Sequence, residues 1–260
     1  MGTVWWLGVV QGLTEFLPVS SSGHLMVLRA LWGWGPPGLV WEAWLHGGTL
    51  IAVIAGYRRE IGEMLQGLVH GRRRDWAEVE RIAVATLPAL LVGGGLSAQL
   101  SALSLPGAVV GGWLATTVLI WATPGAGGRS GRIADLTWPA TLIIGGFQAL
   151  ALWPGLSRSG STLFAGRRAG LSPAEAARLS FWMAIPTVLG AILLTLIEDP
   201  LGFGRISGIW LLGLIVAAVS GIFAIKWVRK LLASPRGYHG FGWYTLTCAL
   251  ILGLALPVGR

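Results

Sequence analysis

Long apolar segments alternate with short, cation-rich segments along this chain. Six of the apolar segments are long enough to cross about 30 Å of hydrocarbon as a helix. They lie at roughly 40–56, 82–97, 105–122, 174–197, 208–227 and 241–258. The pattern predicts an all-α integral membrane protein with six transmembrane helices.

The cations lie in three of the intervening loops. These are Arg58, Arg59 and Arg72 to Arg74 in the first, Arg129 and Arg132 in the second, and Lys226, Arg229, Lys230 and Arg236 in the third. The loops near 98–104 and 198–207 carry only Arg205. Because Lys and Arg are enriched in cytoplasmic loops, the three basic loops are predicted to face the cytoplasm.

Two further segments, 1–35 and 138–170, are apolar but interrupted by Pro, Gly and hydroxyl residues. If each crossed the membrane once, the basic loops would no longer share one side. If each segment enters the membrane and returns on the same side, the three basic loops all face one side. We therefore predict two re-entrant helical hairpins, the first entering from outside and the second from the cytoplasm.

The centres of these hairpins resemble each other. "PVSSSGH" follows Gln11, and "PGLSRSGS" follows Gln148. With the opposite entry sides, this predicts an inverted repeat, about 1–122 and about 138–258, within one membrane domain covering 1–260. Broken helices in such repeats place their sites near the bilayer midplane. Non-helical backbone is tolerated there only where it is buried in protein or lines water.

Composition supports the membrane class. The chain is 54% hydrophobic and 12% charged, whereas soluble domains carry about 25% charged residues. The single Cys248 excludes an intramolecular disulfide. The N-terminus lacks a basic region and a cleavage site, so we expect it to be retained. The net charge of +8 is interpreted as topology signal and lipid contact, not as a nucleic-acid site.

The first hairpin combines a carboxylate with hydroxyls and an imidazole. Gln11 and Glu15 are four residues apart and share a helix face. Pro18 ends that half-helix, and serine hydroxyls can cap the next one. The capping candidates and the imidazole that follows them are Ser20, Ser21, Ser22 and His24. A helix N-terminus attracts anions.

The second hairpin also has serine hydroxyls that can cap a half-helix, and it adds a cation. Its candidate caps and donors are Ser157, Ser159 and Ser161, and Thr162 shares a helix face with Arg158. The planar guanidinium suits phosphate oxygens. A buried Glu or Arg costs roughly 2.5–3.5 kcal/mol, so a purely structural Glu15–Arg158 ion pair is the alternative, although it leaves the serines and the imidazole unexplained. The set suits phosphoryl transfer on a substrate with an anionic head and a long apolar tail.

"QGLTEFLPVSSSGHL" and "FQALALWPGLSRSGST" resemble the two signature segments of the bacterial undecaprenyl-diphosphate phosphatases, the bacitracin-resistance type. The similarity covers nearly the whole chain, including "WEAWLHGGTLIAV". It implies hydrolysis of undecaprenyl diphosphate, and of other polyprenyl diphosphates, to recycle the lipid carrier of cell-wall synthesis. It also implies a multi-pass protein of the bacterial inner membrane with two re-entrant hairpins among six spanning helices.

The resemblance also assigns roles. Glu15, His24 and Arg158 match essential residues, and Ser21 matches a serine proposed as nucleophile. The positions expected to bind substrate are Gln11, Ser20, Ser22, Ser157, Ser159 and Thr162. Glu42 and His46 match nearby polar positions and are expected to act from behind the site. Gln11 stands where many members have Glu, which leaves Glu15 as the single carboxylate of that pair for a divalent metal, Mg²⁺ or Ca²⁺.

Several alternatives stay open at this point. The diphosphate is expected to dock across Arg158 and the half-helix N-termini, and Ser21, His24 or water then attacks the phosphorus. A lipid phosphatase with a "PSGH" motif is disfavoured because its downstream motifs are missing. A polyprenyl-phosphate transporter or flippase using the same inverted repeat is the second candidate function. The site is expected to open to the periplasmic or extracellular side, and a homodimer is compatible with the sequence.

Overall fold

The computed structural model describes residues 2–33, 39–96, 99, 103, 105–125, 130–202, 208–232 and 235–255. Some features predicted above lie outside these residues: Arg129, Arg205, the end of the second predicted span at 97, the end of the last at 256–258, and positions 1, 34 and 35 of the first hairpin.

The described residues form eleven α-helices. In chain order they are α1 (Gly2–Phe16), α2 (Ser21–Leu31), α3 (Leu39–Gly56), α4 (Arg58–Val69), α5 (Arg73–Gly95), α6 (Pro106–Trp121), α7 (Trp138–Leu150), α8 (Arg158–Arg168), α9 (Pro173–Glu198), α10 (Gly208–Leu232) and α11 (Pro235–Ala255). A 3-10 turn at Ile133–Asp135 and an isolated bridge between Gly131 and Leu171 complete them. The all-α prediction is confirmed.

Each predicted span overlaps a helix, in chain order α3, α5, α6, α9, α10 and α11. By length and composition, two of the described helices are long and apolar enough to cross a membrane. They are α9, with a mean hydropathy of 2.0, and residues Gly208–Leu231 of α10, with 2.4. An all-helical chain with such helices fits a membrane protein.

The first basic loop differs from the prediction. Helix α4 occupies Arg58–Val69, and α5 begins at Arg73, well before the predicted span at 82. In α4, Ile61, Leu65 and Leu68 recur at helical spacing between Arg and Glu residues. An amphipathic helix of this kind is invisible to a search for long apolar runs.

Two helix–turn–helix units carry the predicted hairpins, α1 with α2 and α7 with α8. In the first, Ser20 caps α2, and its Oγ accepts from Gly23 N at 3.4 Å. In the second, Ser157 caps α8, and its Oγ accepts from Gly160 N at 3.1 Å. Gln11, Ser20 and Gly23 of the first hairpin correspond to Gln148, Ser157 and Gly160 of the second, and all three pairs are separated by the same number of residues. The two turns therefore have the same local sequence arrangement.

Helix packing follows a paired pattern. Helix α1 lies along α10, and α7 lies along α5. Helix α3 contacts α10, and α9 contacts α5, while α3 and α9 contact each other. The buried core between them includes Phe16, Tyr57 and Phe181, whose rings pack edge to face.

Helix α6 holds both hairpin turns in place. Trp113 Nε1 donates to Val19 O at 3.0 Å in the first turn. Thr116 Oγ1 donates to Gly155 O at 3.2 Å and accepts from Ser157 N at 2.9 Å in the second. The second turn passes so close that a Cβ on Gly112 would lie 2.2 Å from Pro154 O. The tips of both hairpins therefore meet against one helix.

Candidate active site

An ion pair joins the two hairpins. Arg158, the first residue of α8, donates from Nη2 to Glu15 Oε1 at 2.9 Å. Its Nη1 donates to Ser180 O of α9 at 2.8 Å, which fixes the guanidinium. Both side chains are largely buried. Two residues far apart in sequence thus form one charged centre at the end of helix α1.

Three more side chains contact the second carboxylate oxygen of Glu15. Its Oε2 accepts from Ser21 Oγ at 2.6 Å and from Gln11 Nε2 at 3.1 Å. His46 Nε2 lies 3.4 Å from the same atom. The structure therefore brings Gln11, Glu15 and Ser21 together, and it places His46 in direct contact with them. Sequence reasoning had put His46 behind the site.

The remaining serines support the two turns. Ser20 Oγ lies 3.2 Å from Ser22 Oγ, and Ser157 Oγ lies 3.2 Å from Ser159 Oγ. Ser159 Oγ also donates to Leu17 O at 2.8 Å, which ties the second hairpin to the turn of the first. The hydroxyl of Ser159 thus contributes a direct hydrogen bond between the two hairpins.

Thr162 is also engaged within the protein. Its Oγ1 lies 2.7 Å from Ser180 Oγ and 2.8 Å from Arg158 O. Sequence reasoning placed Thr162 on the substrate. The structure places it one turn along α8, where it fixes the helix that carries Arg158.

His24 lies apart from the charged centre. Its Nδ1 is 2.6 Å from Ser20 O, and its Nε2 is 2.8 Å from the hydroxyl of Tyr244. Its ring packs edge to face on Trp113. The structure therefore places the imidazole of His24 against the backbone of the first turn, outside the cluster of side chains that contact the Glu15 carboxylate.

A cavity of about 230 Å³ adjoins the ion pair. Its polar lining residues are Thr14, Glu15, Ser20, Ser21, Ser22, His46, Gln148, Ser157, Arg158 and Thr187. Its apolar lining residues are Ala89, Ala151, Leu152, Leu156, Val188 and Ala191. A molecule with one charged end and one apolar end matches this mixed lining.

Glu42 faces a different cavity. His46 Nδ1 lies 2.6 Å from Glu42 O, one turn earlier in α3. The Glu42 side chain lines a second cavity of about 230 Å³ together with Arg29, Trp41 and Trp210. Glu42 therefore supports His46 through its backbone carbonyl, while its side chain lines the second cavity.

The side chains around Glu15 do not fit a divalent cation held by the protein. Oε1 of Glu15 is taken by Arg158, and Oε2 by Ser21, Gln11 and His46. Among the described residues, no three His, Cys, Asp or Glu side chains are grouped as metal ligands. Mg²⁺ and Ca²⁺ favour several oxygen ligands, and here one engaged carboxylate is offered.

Comparison with known proteins places the chain in a family. A family model described as "Bacitracin resistance protein BacA" matches residues 4–251. This chain belongs to the BacA family. The resemblance noted in the two hairpin segments is thereby confirmed. The match covers both hairpin turns and every residue that lines the cavity beside Glu15.

Curated relatives of this BacA-family chain carry one name. The undecaprenyl-diphosphatase of Moorella thermoacetica is 36% identical over 250 residues, which cover 95% of each chain. That of Parasynechococcus marenigrum is 37% identical over 264 residues, 96% of this chain and 90% of the relative. Undecaprenyl-diphosphatase 2 of Stutzerimonas stutzeri is 37% identical over 249 residues, 87% of both.

Four residues near the site were not predicted. Thr116, Ser180 and Thr187 bond to the second hairpin, and Tyr244 bonds to His24. Each lies in an apolar helix, where a single hydroxyl usually bonds the preceding turn. Only their long-range contacts distinguish them, and no local sequence signal reports those contacts.

Proposed function

We propose that this chain hydrolyses undecaprenyl diphosphate to undecaprenyl phosphate and inorganic phosphate, and so recycles a lipid carrier of cell-wall synthesis. Membership of the BacA family and the names of its relatives support this reading over a transporter. The mixed lining of the cavity supports it independently, because a prenyl diphosphate has one anionic and one apolar end. Other polyprenyl diphosphates share that chemistry.

One observation carries the chemistry: Ser21 Oγ donates to Glu15 Oε2 at 2.6 Å. A hydroxyl hydrogen-bonded to a carboxylate is a nucleophile beside its base. Arg158 holds the other oxygen of that carboxylate, so the guanidinium lies next to the place where the phosphate would react. The first turns of α2 and α8 add N–H groups that favour anions.

The proposed reaction has two steps. Ser21 Oγ attacks the terminal phosphorus while Glu15 takes its proton, and undecaprenyl phosphate leaves with the electrons of the broken P–O bond. The proton on Glu15 passes to the leaving undecaprenyl phosphate and on to solvent, which restores the carboxylate. Water then attacks the phosphoserine while Glu15 takes one of its protons, the P–Oγ bond breaks, and Glu15 returns the proton to Ser21 Oγ as inorganic phosphate is released. Arg158 stabilises the charge on the phosphoryl oxygens in both steps.

The two histidines take different parts in this scheme. His46 touches the carboxylate of Glu15 and holds it in place for proton transfer. His24 holds the carbonyl of Ser20, and therefore the turn from which Ser21 projects. A direct attack by water, with Glu15 as base, is the alternative if no phosphoserine forms.

We also propose the predicted membrane arrangement: one domain, six spanning helices and two re-entrant hairpins in an inverted repeat. The pairing of α1 with α10 and of α7 with α5 supports the repeat, as does the pairing of α3 with α10 and of α9 with α5. The matched serine caps support it at the level of single hydrogen bonds. The protein then sits in the bacterial inner membrane with its site open to the periplasm.

Phosphate release by the purified chain tests the function. Undecaprenyl diphosphate should yield inorganic phosphate with the parent protein and almost none with Glu15→Gln or Arg158→Ala. A protein that binds the lipid, carries it across liposomes and releases no phosphate would instead support the transporter. Labelling with terminal ³²P separates the nucleophiles, since phosphoserine survives acid and phosphohistidine does not.

A further inference from the structure

Gln148 of α7 lies at the cavity beside Glu15, and the proposed chemistry does not use it. It occupies the position in the second hairpin that Gln11 occupies in the first. Gln148 is 1% exposed, and it is one of the residues that line the cavity. Its amide nitrogen Nε2 donates to Thr187 Oγ1 at 3.1 Å. This hydrogen bond holds the buried side chain in one orientation next to the cavity.

The hydroxyl of Thr187 determines which end of the amide is the nitrogen. Thr187 has one hydroxyl proton, and Oγ1 donates it to Met183 O at 2.7 Å. Towards Gln148 this oxygen can therefore only accept, which requires the amide nitrogen on that side. With the amide reversed, two acceptors would face each other at 3.1 Å. The carbonyl oxygen Oε1 is thus the end of the amide that does not contact Thr187.

Oε1 of Gln148 is buried, and none of the described residues donates a hydrogen bond to it. Buried polar atoms in folded proteins nearly always have a partner, so an exception calls for an explanation. Gln11 Oε1 is likewise buried without a partner among the described residues, but Gln11 does not line the cavity. At Gln148, a molecule bound in the cavity can supply the missing donor.

The chemistry of the reactants identifies that donor. An amide oxygen accepts hydrogen bonds, and its partial negative charge repels the oxygens of a phosphate. The ionised diphosphate carries no O–H group, and the prenyl chain carries no polar hydrogen. Water, the remaining reactant, has two O–H groups. Gln148 Oε1 therefore suits the water and not the lipid substrate.

We propose that Gln148 is a further catalytic residue, which holds the attacking water through Oε1. The inference rests on the proposed function, because that reaction consumes the water. One O–H of the water donates to Glu15, which takes this proton as the new O–P bond forms and the bond from phosphorus to the leaving oxygen breaks. The second O–H donates to Gln148 Oε1 and stays on the inorganic phosphate. With both hydrogens held, a lone pair of the water faces the phosphorus, and Gln orients water in this way in other phosphoryl-transfer enzymes.

A competition between water and methanol tests this role. Methanol has a single O–H, which Glu15 takes, so it has none left for Gln148. Undecaprenyl diphosphate with terminal ³²P is turned over in buffer containing methanol, and the ratio of methyl phosphate to inorganic phosphate is measured. Gln148→Met keeps the length of the side chain and removes the amide. It should lower kcat about tenfold or more and raise the ratio about threefold or more, because water is no longer oriented better than methanol.

Matched variants separate this role from a structural one. Gln66→Met makes the same change at an exposed glutamine of α4 and should leave both kcat and the ratio at the parental values. Thr187→Val removes the group that holds Gln148 Nε2 and should also raise the ratio, whereas the conservative Thr187→Ser should bring it back towards the parental value. Because the ratio compares two products of the same active molecules, a partly unfolded preparation does not alter it.

The outcomes distinguish the two proposals. If the parent releases no phosphate, the proposed function fails. If the parent is active but Gln148→Met keeps the parental kcat, or loses activity with an unchanged ratio, Gln148 does not hold the water. No methyl phosphate from either protein counts as an unchanged ratio. If Gln148→Met is too slow to yield product, the Thr187 variants decide, and a parental ratio in Thr187→Val would overturn the proposal.

Discussion

Arg158 Nη2 lies 2.9 Å from Glu15 Oε1, although the two residues belong to different hairpins. Arg158 is the first residue of α8, and Glu15 lies in the last turn of α1. Neither hairpin contains the charged centre alone. Both residues of the pair line a cavity together with Ser20, Ser21, Ser22 and Ser157. A contact that could be merely structural is therefore placed where a phosphate would be bound and cleaved.

The ion pair should also contribute to stability. Removing one partner leaves the other charge buried without compensation, which typically costs about 3–5 kcal/mol. Glu15→Gln and Arg158→Met should therefore each lower the thermal midpoint in detergent. The double variant Glu15→Gln/Arg158→Met should recover part of the loss. Equal and additive losses in the thermal midpoints would show that the two charges do not depend on each other.

Ser21 and its neighbour Ser22 should differ sharply. Ser21 donates to Glu15 at 2.6 Å, whereas the bond described for Ser22 Oγ is to Ser20. Ser21→Ala should lower kcat by about a thousandfold or more, because the nucleophile is lost. Ser22→Ala should keep most of the activity. Steady-state phosphate release measures both, and a Ser21→Ala protein close to parental activity would assign the attack to water or His24.

Two adjacent glycines of α6, Gly111 and Gly112, provide a matched test of how closely the turn of the second hairpin packs against this helix. A Cβ on Gly112 would meet the backbone of the turn, 2.2 Å from Pro154 O and 2.5 Å from Leu156 N. One on Gly111 would meet nothing within 4 Å. Gly112→Ala should therefore displace the turn that carries Arg158 and reduce activity and thermal midpoint together. Gly111→Ala should match or slightly exceed the parent in stability, since Ala favours a helix by up to about 1 kcal/mol.

The two serine caps should respond differently to glycine. Ser20 has φ 65, a conformation that L residues rarely adopt, whereas Ser157 has φ −72. Ser20→Gly should be more stable than Ser20→Ala by about 1 kcal/mol, because glycine adopts this backbone without strain. At Ser157 glycine keeps only its general N-cap preference over alanine, so the difference between the Gly and Ala variants should be smaller there than at Ser20. Thermal unfolding of the four variants measures both differences, and equal differences at the two positions would contradict the effect of the backbone conformation.

The sequence predicted the helical class, the two hairpins and the serine caps because these depend on local patterns. Ser20 and Ser157 each stand three residues before a glycine and beside a break in an apolar run. Such signals are complete within a dozen residues. The family assignment rests on the same two segments, and the match over 4–251 confirms it.

Other features depend on which helices become neighbours. The resemblance predicts that His46 acts from behind the site, yet α3 contacts α1 and brings His46 Nε2 to 3.4 Å from Glu15 Oε2. The resemblance groups His24 with Glu15 and Arg158 as essential residues. Helical geometry turns it toward Tyr244 of α11, a residue with no local signal. Neither placement follows from spacing along the chain.

The rate of phosphate release from undecaprenyl diphosphate, measured for the parent, Glu15→Gln, Arg158→Ala and the double variant, tests the central claim most directly. If the tips of both hairpins form one site, each single change should lower kcat/KM by about a thousandfold, and the double change should cost little more, because groups that act as a unit are not additive. Near-parental rates in either single variant, or losses that multiply in the double variant, would contradict a shared site.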